Sequence, residues 1–524
     1  VAHAIHGVPT SKYSAIAGAH CSPPLGRRRK IVKSDVNLNL KDELPDSPRR
    51  LKADDCIVVD KPRLIRSQIG AGVGNFMEWY DVGVYGYLAT VMTKVFTAGM
   101  GETVGLLVTL LGFAVSFLVR PLGGMILGPL GDKIGRRSVM LFTIMMMAVA
   151  TVLIGCLPGA DSIGLWAVVL LYVLRMIQGF STGGEYAGAA TYIAEYAPDR
   201  SRGVWTSLLN SGSQLGFAAG AGVVAATTAI ATNLWGENAM VDGAWRIPFL
   251  FAAILGIVAM LVRSGITESP SFEKARDIKE NPNSSPIFVR HNLRNVIRHY
   301  WPQIVIGIAI IGADGACSYT LTSYMPTYLE TQIGMATFHT ATATVVILLM
   351  QAVLLPVFAR ISDRIGRRPM YFTAAISNLI LLIPAFALFH TGTLWALYAG
   401  LILIMVPGTM YLSINAAVQS ELFPTASRYA GVGMTQNFAV SIIGGTVPLV
   451  SQFLVDITGN SYVPAFYVML FSVLAVVATL FLRESAGRPL IGSVPMVSTR
   501  REALELEKGQ DDDESIDTAT MLLK

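Results

Sequence analysis

Two apolar segments carry acids, amides and cations at helical spacing. Asn75, Glu78, Val82 and Tyr85 stand at i, i+3, i+7 and i+10, so a helix there presents an amide, a carboxyl and a phenol along one stripe. Asp81 and Tyr85 form an overlapping i, i+4 pair. A carboxylate inside a membrane-spanning helix is expensive when ionised, which suits it to binding and releasing a proton. The plainer alternative is that Glu78 and Asp81 lie near the membrane surface, solvated or paired. Arg175, Gln178, Thr182 and Glu185 repeat the same spacing further on, beside Gly179, Gly183, Gly184 and Gly188. Glycines allow close helix packing, and an Arg three turns from a Glu can balance charge as the Glu protonates. A buried structural ion pair within one half of the protein is the competing reading.

Other candidates are more scattered. Arg120, just before Pro121, is either a snorkelling surface cation or a carboxylate anchor. Asp314 is the most conspicuous acid in the apolar sequence of the second half, and Tyr319 and Tyr324 follow it. With Trp79, Tyr80, Tyr85 and Tyr186 they offer aromatic faces for an ammonium group, each contact worth about 0.5–2 kcal/mol. Aromatics at membrane interfaces are also common as belt or packing residues. Asn210 and Gln214 share a helix face, and Asn437 precedes a kink-prone Gly444, Gly445 and Pro448. Glu78, Asp81, Glu185 and Asp314 are therefore the candidates for carrying a coupling proton. Asn75, Trp79, Tyr85, Arg120, Arg175, Gln178, Asn210, Tyr319, Tyr324 and Asn437 are the candidates for binding a solute. Four acids against Arg120 and Arg175 favour a zwitterion over a di- or tricarboxylate, which asks for several uncompensated cations.

The elements that must position these groups follow from composition. The chain has 524 residues, 52% hydrophobic and 14% charged, with mean hydropathy +0.52, too apolar for an ordinary soluble protein. Hydrocarbon offers no partner to backbone N–H and C=O groups, and the apolar runs are continuous rather than alternating, so the spans are helices. Twelve apolar stretches begin near residues 66, 104, 138, 163, 203, 246, 302, 336, 370, 394, 430 and 462. The longest interior break, 264–300, divides them six and six. The expected fold is an all-α membrane protein of twelve transmembrane helices in two six-helix, pseudo-symmetric bundles. Its parts are a polar tail over 1–65, a bundle over 66–263, a central loop over 264–300, a second bundle over 301–484 and an acidic tail over 485–524. Lys and Arg fill alternate loops and are missing from those around Pro158, Gly334, Thr391 and Asn460, which places both tails in the cytoplasm. The N-terminal tail lacks the long apolar stretch of a cleaved signal peptide.

An internal repeat supports the division. Gly131-Asp132-Lys133-Ile134-Gly135-Arg136-Arg137 returns as Ser362-Asp363-Arg364-Ile365-Gly366-Arg367-Arg368, and Glu195-x-x-Pro198-x-x-x-Arg202 returns as Glu421-x-x-Pro424-x-x-x-Arg428. In the first pair Asp132, Arg136, Arg137, Asp363, Arg367 and Arg368 can act as a charged latch that holds the halves in one conformation; a topology-setting basic loop is the alternative. Cys21, Cys56, Cys156 and Cys317 form no CxxC pair and have no His at ligand spacing, so no metal site, disulfide framework or cofactor is expected. No nucleophile and base pair, phosphate-cradling loop or nucleic-acid face is visible, which argues against an enzyme.

The repeated loop Gly128-x-x-Gly131-Asp132-Lys133-x-Gly135-Arg136-Arg137, with Arg175-x-x-Gln178-Gly179, resembles the major facilitator superfamily over about residues 65–490, although Ala359 replaces the first glycine in the second copy. Gly74-Asn75-x-Met77-Glu78-Trp79-Tyr80-Asp81-x-Gly83-Val84-Tyr85-Gly86, Arg120-Pro121-Leu122-Gly123-Gly124, Gln178-Gly179-Phe180-Ser181-x-Gly183-Gly184-Glu185-Tyr186 and Trp245-Arg246-Ile247-Pro248-Phe249 look like its metabolite:proton symporter family. Ala197-Pro198-Asp199-Arg200-x-Arg202-Gly203, Tyr319-x-x-x-x-Tyr324-Met325-Pro326-x-Tyr328-Leu329 and Glu484-x-x-x-Arg488-Pro489-Leu490 are most similar to its osmoprotectant transporters. That resemblance implies the major facilitator fold, alternating access, an inner-membrane location and proton symport of proline, glycine betaine or ectoine. The alternatives within it are organic acids of the 2-oxoglutarate, citrate or shikimate type, and, outside transport, a membrane sensor. The partners implied are a small zwitterion, protons and lipid, with oligomeric state left open. The C-terminal tail shows no sustained heptad, so no coiled coil is expected there.

Overall fold

A computed structural model describes residues 50–134, 136–264 and 293–510. In the first half, α1 (Lys61–Tyr87) runs on into α2 (Ala89–Phe96), followed by α3 (Glu102–Ile134) and α4 (Arg136–Cys156). Next come α5 (Trp166–Thr182) with α6 (Glu185–Tyr196), then α7 (Arg202–Trp235) and α8 (Arg246–Ser264). In the second half, α9 (Leu293–Tyr319) passes through a π-helical turn, Thr320–Tyr324, into α10 (Met325–Thr331). It is followed by α11 (Thr337–Ile365), α12 (Arg367–Phe389) and α13 (Leu394–Glu421). A second π-helical turn, Ala439–Gly444, joins α14 (Thr425–Phe438) to α15 (Val447–Thr458), and α16 (Val463–Phe481) completes the set. Taken as continuous rods these give six spans per half, the arrangement expected from hydropathy. Ten of them are long and apolar enough to cross a membrane by length and composition, with Leu141–Cys156 a shorter apolar helix among the described residues. The first rod, with Asn75, Glu78 and Asp81 in its middle, stands outside both sets.

Close approach of helices within the first half depends on glycine. A Cβ on Gly179 of α5 would land on the Ser116 carbonyl of α3, and one on Gly183 would land on the Arg120 carbonyl. The two backbones therefore touch, which fixes Arg120 and Arg175 at the middle of the bundle. α5 and α6 meet at Gly183–Gly184, so the stripe from Arg175 to Glu185 is interrupted rather than carried on one straight helix.

The halves are joined by ion pairs at the end where both ends of the described chain meet. Arg202 of α7 reaches Glu421 of α13 at 3.1 Å, and Arg428 of α14 reaches Glu195 of α6 at 2.7 Å. These are the corresponding positions of the second repeat, each Arg bonded to the Glu of the other half. Arg202 also pairs with Asp199, and Glu421 with Arg367 at 3.4 Å. Asp363 crosses to the N-terminus of α7, accepting from the Gly203 and Val204 amides at 3.0 and 3.1 Å, and pairs with Arg367 at 2.8 Å. An acid at a helix N-terminus is stabilised by the unsatisfied N–H groups and the helix dipole. At the opposite end the halves meet through Thr90, whose hydroxyl donates to Glu330 at 2.8 Å.

Beneath the ion pairs lies a strap made from both ends of the described chain. Strand β1 (Ile57–Val58) pairs in parallel with β2 (Met496–Val497), and α17 (Arg500–Gly509) packs on Leu51, Ala53 and Cys56. The strap is a folded element, where the sequence suggested only two polar tails. Its backbone serves the ion pairs directly: the Arg488 carbonyl accepts from Arg202 at 3.0 Å, and the Ile491 carbonyl accepts from Arg428 at 3.0 Å.

Two outcomes follow. Glu421 has a side chain only 3% exposed and compensates two fully buried guanidiniums, whereas the Glu195 side chain is 34% exposed. Glu421→Gln is expected to destabilise the protein by about 3–5 kcal/mol, and Glu195→Gln by less, because Arg428, although fully buried, keeps the Ser420 and Ile491 carbonyls as acceptors; both are read as melting temperatures of the detergent-solubilised protein. Cys56 is buried in the strap, and that burial, with Asp55 beside it, pushes its thiol up to about 11. In a background with Cys21, Cys156 and Cys317 replaced by Ser, Cys56 is expected to resist maleimide at neutral pH. Labelling should accelerate as pH rises toward that value, and also when Val497→Asp loosens the strap.

Candidate transport site

Between the halves lies a small cavity. From the first half it is lined by Trp79 of α1, Tyr186 of α6, and Asn210, Ser213, Gln214 and Phe217 of α7. From the second half it is lined by Asp314, Gly315, Ser318 and Tyr319 of α9, Thr322 of the π-helical turn that follows, Leu412 and Asn415 of α13, Gln436 of α14, and Val440. One carboxylate, four carboxamides and four aromatic rings thus face a common space, and no Lys, Arg or His is among the lining residues.

The aromatic wall is continuous across the halves. The Trp79 ring lies 5.1 Å from Phe217 and 5.9 Å from Tyr319, whose ring also meets Phe117 edge-on at 5.2 Å. Trp79 is fixed from behind by its indole N–H, which donates to Asn75 Oδ1 at 3.0 Å, while Asn75 Nδ2 donates to the Leu209 carbonyl at 2.9 Å. Gly444 lets the Tyr319 ring sit where it does, since a Cβ there would lie 2.8 Å from that ring. The Tyr319 hydroxyl is buried with no hydrogen-bond partner among the described residues. Asp314 accepts from the Ser318 hydroxyl at 3.1 Å and from Asn415 Nδ2 at 2.8 Å. The halves also touch along this surface: Asn210 Nδ2 donates to the Leu412 carbonyl at 2.7 Å, and Gln214 Nε2 donates to Gln351 Oε1 at 2.8 Å.

Behind the wall, inside the first half, sit two acid–cation arrangements. Glu78 and Arg120 form an ion pair at 2.8 Å, both buried. The Arg120 guanidinium lies 4.2 Å from the Phe117 ring centroid and 5.5 Å from that of Trp79, so the pair abuts a residue of the cavity wall. Asp81 is linked to Arg175 by neutral groups: Arg175 donates to Gln178 Oε1 at 2.8 Å, Gln178 Nε2 donates to the Thr151 hydroxyl at 2.7 Å, and that hydroxyl lies 2.6 Å from Asp81 Oδ2. Arg175 also stacks on Tyr85 at 3.7 Å, whose hydroxyl donates to the Thr109 carbonyl at 2.8 Å. An acid held by such contacts can take up a proton without being exposed to bulk water.

The structure divides the sequence candidates into groups. Trp79, Asn210, Tyr319 and Asp314 line the cavity, with Asn75 directly behind Trp79. Glu78, Asp81, Arg120, Arg175, Gln178 and Tyr85 form the interior of the first half and do not line it. Tyr324 donates to Gln452 at 3.1 Å and Asn437 donates to the Gly183 carbonyl at 2.9 Å, both away from the lining. Glu185 is half-buried at the start of α6, also away from it. Asp363 and Arg367 belong to the ion-paired end, and Arg368 caps an exposed carbonyl, Leu480, at 3.2 Å. The side chains of Asp132, Arg136 and Arg137 lie outside the described residues. Sequence reasoning missed Ser213, Ser318, Asn415 and Gln436 in the cavity. The signal for Asn415 was present in the apolar α13, where it stands four residues before Gln419 and donor and acceptor meet at 3.0 Å.

Residues 68–495 match the family described as sugar (and other) transporter. The chain is 52% identical over 486 residues to the ectoine/proline transporter ProP of Corynebacterium glutamicum, covering 92% of this chain and 96% of that one. It is 36% identical over 454 residues to the proline/betaine transporter of Escherichia coli K12, covering 86% and 90%. Among solved structures, the major facilitator superfamily proton:xylose symporter XylE, bound to 6-bromo-6-deoxy-D-glucose, superposes with a TM-score of 0.65 at 18% identity, covering 82% of this chain and 97% of that one. The fold is thus the twelve-helix major facilitator fold, and the chain belongs to the sugar (and other) transporter family, alongside the bacterial proline/betaine transporters.

Proposed function

We propose that this multi-pass membrane protein is a proton-coupled symporter that brings small zwitterionic osmoprotectants, such as proline, glycine betaine or ectoine, into the cell by alternating access. The observation that carries the reading is the charge of the cavity: one carboxylate, carboxamides and aromatic faces, with no cation among the lining residues. An organic di- or tricarboxylate entering it would meet Asp314 and find no counter-ion. A zwitterion finds neutral donors for its carboxylate and aromatic faces for its ammonium. The names of the similar proteins, ectoine/proline and proline/betaine transporters, agree with that chemistry.

Coupling is assigned to the first-half networks. A proton on Glu78 removes the charge that holds Arg120, and the Arg120 guanidinium lies 5.5 Å from the Trp79 ring centroid, so the protonation state reaches the cavity wall through one residue. Asp81 offers a second proton position, because its Oδ1 has no hydrogen-bond partner among the described residues. The excess of Lys and Arg in the loops near the ion-paired end supports a cytoplasmic position for that end. On this orientation the ion pairs close the inner side of an inner-membrane transporter, and their separation admits the solute to the cytoplasm.

Purified protein in proteoliposomes should accumulate labelled proline, betaine or ectoine when an inward proton gradient is imposed. Accumulation should collapse with the gradient, and excess 2-oxoglutarate, citrate or shikimate should leave it unchanged. Inhibition by those acids alone would overturn the substrate assignment. Glu78→Gln and Asp81→Asn are expected to lower gradient-driven accumulation more than gradient-free exchange, by roughly tenfold for the more important residue. Normal accumulation by both variants would remove these acids from the coupling step.

A further inference from the structure

We infer that Asp314 is the counter-ion of the substrate's ammonium group, and that the coupling proton travels on acids of the other half; the assignment rests on the zwitterion reading above. Asp314 is the one carboxylate among the cavity's lining residues and is 5% exposed. Its two hydrogen bonds come from neutral groups, Ser318 and Asn415. A carboxylate offers about four acceptor positions, so these bonds orient it and leave acceptor capacity toward the cavity. The titratable groups that act on it are Tyr186 from the other half, Cys317 and Tyr319 on its own helix, and Tyr371 and Tyr411 from α12 and α13, with no Lys, Arg or His in ion-pair distance among the described residues. Burying a charge without a partner is costly. A substrate cation supplies that partner.

Glu78 and Asp81, buried inside the first half, are already matched. Glu78 has Arg120 at 2.8 Å, and Asp81 is tied to Arg175 through Gln178 and Thr151. This difference decides which acid does what. A proton placed on Asp314 would remove the charge that holds the ammonium, so proton and substrate would compete for it, which is the logic of exchange. Symport requires both aboard together, so the proton belongs on an acid that is not the substrate's counter-ion. Counted over the core, three acids face two guanidiniums, and a zwitterion adds no net charge. One proton therefore makes the loaded core neutral.

The rest of the cavity fits a bound zwitterion. The rings of Trp79, Phe217 and Tyr319 offer faces to the apolar or methylated side of the ammonium. The substrate's carboxylate finds the Tyr319 hydroxyl, which has no hydrogen-bond partner among the described residues and whose ring packs against Gly444. Proline and ectoine can add N–H hydrogen bonds to Asp314, whereas a quaternary ammonium interacts with it by charge alone. Loss of the carboxylate should therefore weaken proline more than betaine.

The test uses the full chain in proteoliposomes and two readouts, counterflow of labelled proline into proline-loaded vesicles without a gradient, and gradient-driven accumulation. Asp314→Asn should raise the half-saturating proline concentration for counterflow about tenfold or more, with a smaller rise for betaine, while Asp314→Glu stays closer to the native protein. Tetrahydrofuran-2-carboxylate, a proline analogue with an ether oxygen in place of the ammonium, should compete poorly in the native protein, and proline's advantage over it should shrink in Asp314→Asn. Native protein should also be treated with a hydrophobic carbodiimide and analysed by mass spectrometry, which needs no variant to fold. Proline, and not the furan analogue, should protect Asp314 from modification. Unchanged half-saturation in Asp314→Asn, intact counterflow with lost accumulation, or absence of protection would overturn the assignment. Native vesicles that move none of the three solutes would instead overturn the proposed function beneath it.

Discussion

A charge that leaves water for the interior of a helical bundle must find its counter-charge within the protein. That constraint organises this molecule from the cavity to the ends of its helices. In the first half it is met twice, by Arg120 against Glu78 and by Arg175 against the relay that ends at Asp81. Both arrangements need α3 and α5 in backbone contact, which is why Gly179 and Gly183 stand opposite carbonyl groups. In the second half Asp314 meets only hydroxyl and amide donors from the protein, and it alone of the three acids faces the cavity.

The same constraint explains how the ion-paired end can hold and still open. When the halves part, Arg202 loses Glu421 but keeps Asp199, and Glu421 keeps Arg367, which itself keeps Asp363. None of these charges is left without a counter-charge by the motion, whereas Arg428, itself fully buried, loses Glu195 and keeps the Ser420 and Ile491 carbonyls as acceptors. Arg428 has Glu195 across the interface, and this is the pair whose acid is partly in water and can be resolvated. An interface built this way is bistable: each state satisfies its charges, and intermediate separations satisfy them less well. The strap is bound into the same step, because the Arg202 nitrogen that reaches Glu421 also donates to the Arg488 carbonyl.

Much of the architecture was legible because hydropathy and repeats report on solvent and symmetry, which act on every residue of a span. The twelve starts fall close to the observed helices; of the break read over 264–300, residues 293–300 belong to α9 and 265–292 lie outside the described residues. The site was legible only in part. Helical spacing placed Asn75, Glu78 and Tyr85 on one stripe, but a stripe does not say which neighbouring helix covers it. α3, α5 and α7 cover this one, so Glu78 and Tyr85 face partners of their own half while Trp79, one residue on, reaches the cavity. The repeat containing Arg202 and Arg428 was visible as a pattern, but its crossed pairing depends on the packing of α7 and α14 against the opposite half, which no local spacing encodes. Gln436 and Ser318 were hidden for a related reason. Small polar residues are unremarkable in a span until a cavity is known beside them.

The two halves agree in fold and diverge in interior chemistry. Their loops preserve a paired motif closely enough for each Arg to meet the other copy's Glu, because the closed end needs both partners of an interface that the pseudo-symmetry relates. The interior is under no such demand. An acid with its own guanidinium can change protonation without waiting for a solute, whereas an acid without one is best satisfied when a cationic group arrives. Placing the first kind in one half and the second kind in the other separates the proton's position from the solute's, with Trp79 between them, lining the cavity and 5.5 Å from the Arg120 guanidinium. Coupling then reduces to whether the wall formed by Trp79 and Tyr319 can close on a solute while Arg120 is held by an ionised Glu78.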